Sequence, residues 1–298
     1  MDNMTAKVSC FARAYHYKNN DIRIFSDDLA EKLLGDDYER IAKSMMEGLD
    51  FFCPGYEGSK EEGLRFIVNK QLSPSVLARS AFCEGKLKEE NANGCKQYIV
   101  FASGYDTFSL RNIDRAFRVF ELDQPHLLED KKEHIRQANL IQTATNIPCD
   151  LVGTLWKDQL FDAGYSKSQK AFGSLLGISY YLKKEDFEQL ILNISDIMEK
   201  GSAICFDYPS TNESLETRKT KMLAAGAGEA MKALYSYEEM KELLLKYGFD
   251  VKEHLDSEKM TDRYFKDYNQ ANPSNLMYAP VGVEYVYAVR KNVRLEIF

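Results

Sequence analysis

Residues 98–107 read Tyr-Ile-Val-Phe-Ala-Ser-Gly-Tyr-Asp-Thr, and residues 117–125 read Phe-Arg-Val-Phe-Glu-Leu-Asp-Gln-Pro. Each is an apolar run that breaks off into residues of another kind. The first ends on small residues, Ala102, Ser103 and Gly104, and the second carries two carboxylates, Glu121 and Asp123. Short apolar runs bounded by turn residues read as buried strands. Gly104 and Asp123 stand nineteen positions apart, close to the roughly 20 between the loop glycines and the acidic residue of a nucleotide-binding βαβ unit. A slim backbone at the first turn admits a ligand at close range. A carboxylate at the second strand end can accept hydrogen bonds from two ribose hydroxyls, although Asp123 also reads as a helix cap before Pro125. The pair predicts an adenosine-bearing cofactor.

Strands and helices alternate outward from this stretch. Strands are expected at Tyr98–Ala102, Arg118–Leu122, up to Cys149-Asp150-Leu151, Ala171–Leu176, Ala203–Tyr208, Phe249–Glu253 and Val283–Val289. A helix over Lys184–Lys200 shows Phe187, Leu190, Ile191, Ile194 and Ile197 at helical spacing, with Gly201 closing it. Ser236 and Glu239 form a capping box for a helix that ends at Gly248, and Asp28 and Glu31 suggest another for a short helix through Leu34. Ser73-Pro74 reads as a helix start and Asn93-Gly94 as its end. The expected fold is α/β, a Rossmann-like, mostly parallel seven-stranded sheet with helices on both faces. Residues 1–92 would form an N-terminal helical cap packed on the core. Residues 93–298 would form the cofactor-binding core, with a substrate-lid insertion over 209–235 after strand five.

The chain has 298 residues, 44% of them hydrophobic and 29% charged, with a net charge of −7. That composition supports a sizeable core and disfavours nucleic acid or an acidic membrane surface as partner. The six cysteines form no C-x-x-C pair, and the four histidines are scattered, so no metal site is expected. The opening residues lack the pattern of a signal peptide and no apolar run approaches a membrane span, so a soluble, cytoplasmic protein with packing cysteines is expected.

A nicotinamide cofactor calls for G-x-G-x-x-G after the first strand. The sequence there is Ala102-Ser103-Gly104-Tyr105-Asp106-Thr107, without the third glycine, and there is no Walker loop. An adenosine cofactor without phosphates suits this turn, and S-adenosyl-L-methionine is the leading candidate.

The segment Tyr98–Pro125 resembles the leucine carboxyl methyltransferase family, which includes O-methyltransferases of polyketide biosynthesis and is a class I S-adenosylmethionine-dependent group. The family's L-G-A-G-x-D-T is matched by Phe101 to Thr107, and its F-E-x-D-x-P by Phe120 to Pro125. Further likeness lies at Ala12-Arg13-Ala14, Ala78-Arg79, Asp150-Leu151 and Gly177 to Leu182, so it runs from about residue 10 to 265. The resemblance implies that Arg79 pairs with the methionyl carboxylate and that Ala102, Ser103 and Gly104 touch the amino-acid part. It implies that Asp123, with Glu121 beside it, holds the ribose, and that Asp150 and Leu151 flank the adenine. Arg13 and Asp106 are further cofactor candidates; Asp106 reads equally well as a residue that stabilises its own turn. Two positions depart from the family: Ala102 replaces a glycine, so its methyl would crowd the cofactor unless φ stays negative, and Leu176 replaces a glutamate.

The expected activity is methyl transfer to a carboxylate or hydroxyl of a small molecule. Alternatives are a cofactor-binding homologue with lost or altered catalysis and a methyltransferase acting on a protein's C-terminal carboxyl. No catalytic base is evident. A carboxylic acid with pKa near 4 needs none at pH 7, whereas a phenol near 10 does. Tyr180, Tyr181 and Tyr208, with the 209–235 insertion, are the candidate substrate contacts.

Overall fold

The computed structural model describes residues 3–212 and 232–291. Its seven strands are β1 (Gln97–Phe101), β2 (Arg118–Asp123), β3 (Ala144–Pro148), β4 (Ala171–Leu175), β5 (Ala203–Pro209), β6 (Phe249–Leu255) and β7 (Val283–Arg290). They form one sheet in the order β3-β2-β1-β4-β5-β7-β6. Strands β1 to β5 pair in parallel, while β7 runs antiparallel between β5 and β6. The expected seven-stranded, mostly parallel α/β sheet is therefore the one observed. After β3 the chain returns to place β4 on the other side of β1. That switch in direction opens a crevice at the carboxyl ends of β1 and β4.

All five residues of β1 are buried, as a strand covered on both faces requires. Its side chains alternate between two cores. Ile99 and Phe101 face Trp156, Phe187, Leu190 and Ile194. Tyr98 and Val100 face Leu77, Phe82 and Leu87 of the helix Ser73–Ala92. The last helix of the N-terminal segment is thus a layer of the sheet's own core. A third core gathers the preceding helices around Phe11, Tyr15, Leu33, Tyr38 and Ile67, and includes Tyr105 from the turn after β1.

Local signals held where their partners are local. Ser236 and Glu239 form the capping box in both directions, at 3.2 and 2.8 Å. The Asp28–Glu31 box does not form: the helix Ala30–Leu34 has no side-chain cap, and Glu31 pairs with Lys18 instead. Ser73-Pro74 does not start a free helix. The chain is already helical from Lys60 and passes through a π-turn at Val68–Leu72, where Ser73 N–H bonds to the Val68 carbonyl. Pro74 has no N–H and its ring would clash with the carbonyl four residues back, so the helix widens by one residue there. The third strand stops at Pro148, before Cys149, and the helix from Lys184 stops at Ile197. Of the expected insertion, Ser210 and Tyr235 bridge its two ends; residues 213–231 lie outside the described residues. Among the described residues, no helix is long and apolar enough to cross a membrane.

Candidate cofactor crevice

The turn after β1 and the end of β2 are bonded to each other. Gly104 N–H donates to Asp123 Oδ2 at 2.7 Å, and Gln124 N–H donates to Asp123 Oδ1 at 2.7 Å. Ser103 N–H donates to the Leu122 carbonyl at 3.1 Å, and Asp106 N–H to the Ser103 carbonyl at 2.8 Å. Asp123 therefore points at the turn. Burial pushes its carboxyl above the ordinary 3.8, and the two amides, Lys131 and His126 offset this only in part. Each carboxylate oxygen has a second acceptor position beyond the amide it holds. Ser103 is buried, and its hydroxyl has no partner among the described residues.

Gly104 adopts φ +46°, and a Cβ there would come within 3.2 Å of Ala6 Cβ on the N-terminal helix Met4–Asn19. Ala102 has φ +55°, so the negative φ that would relieve its methyl is not adopted; the residue packs against the first core instead. Left-handed backbone at a non-glycine residue costs about 1–2 kcal/mol. Asp106 Oδ1 accepts Phe108 N–H at 2.7 Å, which stabilises its own turn. The N-terminal helix is tied over this turn. Arg13 donates to the Tyr105 carbonyl at 2.7 Å and to Asp27 at 2.8 Å, and Thr107 donates to Asp27 at 2.7 Å. Burial alone would raise the Asp27 carboxyl, but Arg13, Arg111 and the Thr107 hydroxyl outweigh it and hold it below its ordinary value.

On the other side of the crevice, Arg79 lies 3.5 Å from Asp207 on β5 and 3.4 Å from the Ser9 hydroxyl. Gly177, after β4, has φ +69°, and a Cβ there would lie 2.7 Å from Arg79 Nη1. A cavity of about 10 Å³, room for about one water, is lined by Leu176, Arg13, Glu84, Asp106 and Arg111 among others.

The remaining candidates divide. Glu121 shares a strand face with Asp123 but is fully buried. It accepts from Lys131 at 2.6 Å, Ser109 at 2.5 Å and Gln142 at 3.1 Å, so its acceptor positions serve the fold. Asp150 is exposed and accepts Val152 N–H at 3.0 Å, while Leu151 packs in the first core; both follow Cys149, whose N–H donates to the Asp123 carbonyl at 2.8 Å. Tyr180 is buried and donates to Asp207 at 2.9 Å; burial and that carboxylate push its hydroxyl pKa well up. Tyr181 is 37% exposed. Tyr208 is buried, donates to Glu284 at 2.6 Å and lies 3.2 Å from His254 Nε2. Sequence reading missed Asp207, Glu284 and Glu84. For Asp207 a signal exists: one carboxylate inside the apolar run of strand five, a residue that is buried only when paired.

Strand order, crevice and turn define a class of fold, the Rossmann-like α/β sheets with a crevice at the carboxyl ends of their strands. Solved structures of low sequence similarity share the fold. One, from Thermobifida fusca YX and described as a methyltransferase, has a TM-score of 0.57 at 15% identity, covering 88% of this chain and 93% of that one. A DUF574-family protein of Streptomyces avermitilis has 0.57 at 13% identity and 97% coverage of both.

The chain belongs to the leucine carboxyl methyltransferase family, whose model matches residues 6–195. It is 34% identical over 306 residues to YktD of Bacillus subtilis (strain 168), named as an S-adenosyl-L-methionine-dependent methyltransferase; 97% of this chain and 98% of that protein are covered. A Saccharopolyspora erythraea protein of the same designation is 26% identical over 246 residues, covering 79% and 78%. The protein is an S-adenosyl-L-methionine-dependent methyltransferase.

Proposed function

We propose that this methyltransferase acts on oxygen, and that its acceptor is a carboxylate of a small molecule. The groups on the crevice match the parts of the cofactor. Asp123, with acceptor positions to spare, would take the ribose hydroxyls. The Ser103 hydroxyl, unpartnered among the described residues, and the Gly104 backbone would meet the amino-acid part, and Arg79, held by the long contacts to Asp207 and Ser9, would take its carboxylate. Asp150 and Leu151 would flank the adenine. When bound, the cofactor supplies a methyl group already activated by sulfonium charge. The protein's task is then to hold an acceptor oxygen in line and exclude water, and such positioning can supply about 7–11 kcal/mol of the barrier.

One observation favours a carboxylate over an alcohol: where the four histidines sit. His16 and His134 are engaged within the N-terminal helical layer, His126 is exposed after β2, and His254 is paired with Glu284 at 2.8 Å on the edge strand. Among the described residues, none is hydrogen-bonded to Ser103, Gly104, Asp123 or Arg79, although His126 bears on the charge of Asp123. A carboxylate acceptor is ionised at pH 7 and needs no base, whereas an alcohol needs one. Leu176 and the strained Ala102 support a second reading, in which cofactor is bound but catalysis is altered.

The test is methyl transfer from labelled S-adenosyl-L-methionine by the full chain to a panel of carboxylic acids and phenols. Ester label is released by alkali and ether label is not. Alkali-labile product is expected; alkali-stable product alone overturns the carboxylate reading, and binding without transfer supports the second.

A further inference from the structure

Asp207 lies in β5, whose seven residues are all buried, and has no exposed surface. A buried carboxylate persists only when its charge and lone pairs are answered. Three groups on the crevice rim answer this one. Gly177 N–H donates to Oδ1 at 2.7 Å, Tyr180 donates to Oδ2 at 2.9 Å, and Arg79 Nη1 lies 3.5 Å from Oδ2. The Arg79 guanidinium also rests against Gly177, where a side chain would collide with it.

The 3.5 Å separation matters. It is longer than the 2.7–2.9 Å of a charge-assisted hydrogen bond, so the contact steadies the guanidinium without saturating its five donors. Because Leu176 is uncharged, the carboxylate serving the turn after β4 comes from the neighbouring strand rather than from the turn itself.

We propose that Asp207 is the positioning residue of the cofactor clamp: it presents Arg79 to the carboxylate of S-adenosyl-L-methionine and locks the turn after β4 beside it. This rests on the proposed role of Arg79. An arginine side chain has many rotamers, and a neighbouring anion that fixes one of them lowers the ordering cost of binding a second anion. Asp207 itself touches no part of the cofactor in this scheme.

The test compares two ligands by calorimetry on the full chain: S-adenosyl-L-methionine and its decarboxylated form, which lacks only the carboxylate. Arg79→Ala is the reference. Asp207→Asn keeps the side chain's size and an acceptor for Gly177 but drops the charge; Asp207→Ala removes both. Both Asp207 variants are expected to weaken S-adenosyl-L-methionine by about tenfold while leaving the decarboxylated form nearly unchanged. In turnover, KM for the cofactor rises and kcat at saturation is retained. Equal weakening of both ligands by Asp207→Asn overturns the proposal in favour of a purely structural role. Tighter binding of S-adenosyl-L-methionine also overturns it, since Asp207 would then compete for Arg79. If Arg79→Ala separates the two ligands and Asp207→Asn does not, only this inference falls. If Arg79→Ala does not separate them, the clamp reading falls with it.

Discussion

Replacing Asp123 by alanine removes one carboxylate that holds two amides in the free protein and, in our reading, two hydroxyls in the complex. The Gln124 amide belongs to an exposed residue, where water replaces the lost acceptor. The Gly104 amide is half-buried and loses a 2.7 Å bond to a charged oxygen. That loss is worth about 1–3 kcal/mol. Removing a carboxyl that burial already disfavours offsets part of it, so the stability cost should fall at the low end, about 1 kcal/mol. The binding cost has no such offset. Hydrogen bonds to a charged group contribute about 1–3 kcal/mol, so the Kd for S-adenosylhomocysteine should rise about 5- to 150-fold. Asp123→Asn, which keeps one acceptor oxygen, should fall between. The assay is calorimetric titration at pH 7, with urea unfolding to confirm the fold. A folded Asp123→Ala protein with unchanged Kd removes Asp123 from the site. The sign with pH follows: ribose donors favour the ionised carboxyl and burial favours the neutral one. Affinity should therefore fall as pH drops, beginning above the ordinary 3.8, and Asp123→Asn should flatten that limb.

The buried Glu121–Lys131 pair gives a contrasting test. Lys131→Met leaves the Glu121 charge buried and should cost about 3–5 kcal/mol in urea unfolding, while Glu121→Leu with Lys131→Met should be close to neutral. Unchanged cofactor affinity in that double variant would place Glu121 in the fold alone. His16 should make stability depend on pH. Burial, with Arg23 nearby, lowers it from 6.5 to about 4, and its Nε2 accepts the Ile24 amide at 2.9 Å, which requires that nitrogen to be unprotonated. Between those values the unfolded chain binds the extra proton, so stability should rise with pH at up to about 1.4 kcal/mol per unit. His16→Gln should lose that slope, and a wild-type curve flat between pH 4 and 6.5 would refute it.

What the sequence made legible were interactions whose partners lie close along the chain or follow a fixed spacing. The β1 and β2 runs, the Gly104–Asp123 span and the Ser236–Glu239 box are of this kind. Glu121 shows the limit. At a strand end it looks as ligand-like as Asp123, and only the arrival of Lys131 and Gln142 from the next crossover reveals a structural ion pair. The Asp28 cap failed for a related reason: Asp27, one residue earlier, is drawn inside by Arg13, Thr107 and Arg111, and that tertiary pull fixes the chain direction before the helix begins. Asp207 shows in the sequence only as a lone carboxylate in an apolar strand; its three partners come from two helical segments and a turn, at separations of about 30 to 130 residues that no local pattern reports.

The two walls of the crevice repeat one device. At each, a glycine just beyond a strand takes a positive φ and donates its amide over 2.7 Å to an aspartate of the adjoining strand: Gly104 to Asp123 at the end of β2, and Gly177 to Asp207, two residues before the end of β5. β1 and β4 are neighbours in the sheet, and β2 and β5 flank them on the outer sides. The two turns are therefore held open from opposite sides of the switch point. A positive φ lets each glycine turn its amide back toward the carboxylate, and the missing side chain keeps the space in front of it clear. The partners then decide how the walls differ. Among the described residues, Asp123 accepts hydrogen bonds from two amides and keeps acceptor positions for hydroxyl donors. Asp207 also faces Tyr180 and a guanidinium, so its wall presents positive charge instead. An acceptor wall opposite a donor wall, built from the same glycine–aspartate pairing, suits a ligand that carries a diol at one end and a carboxylate at the other.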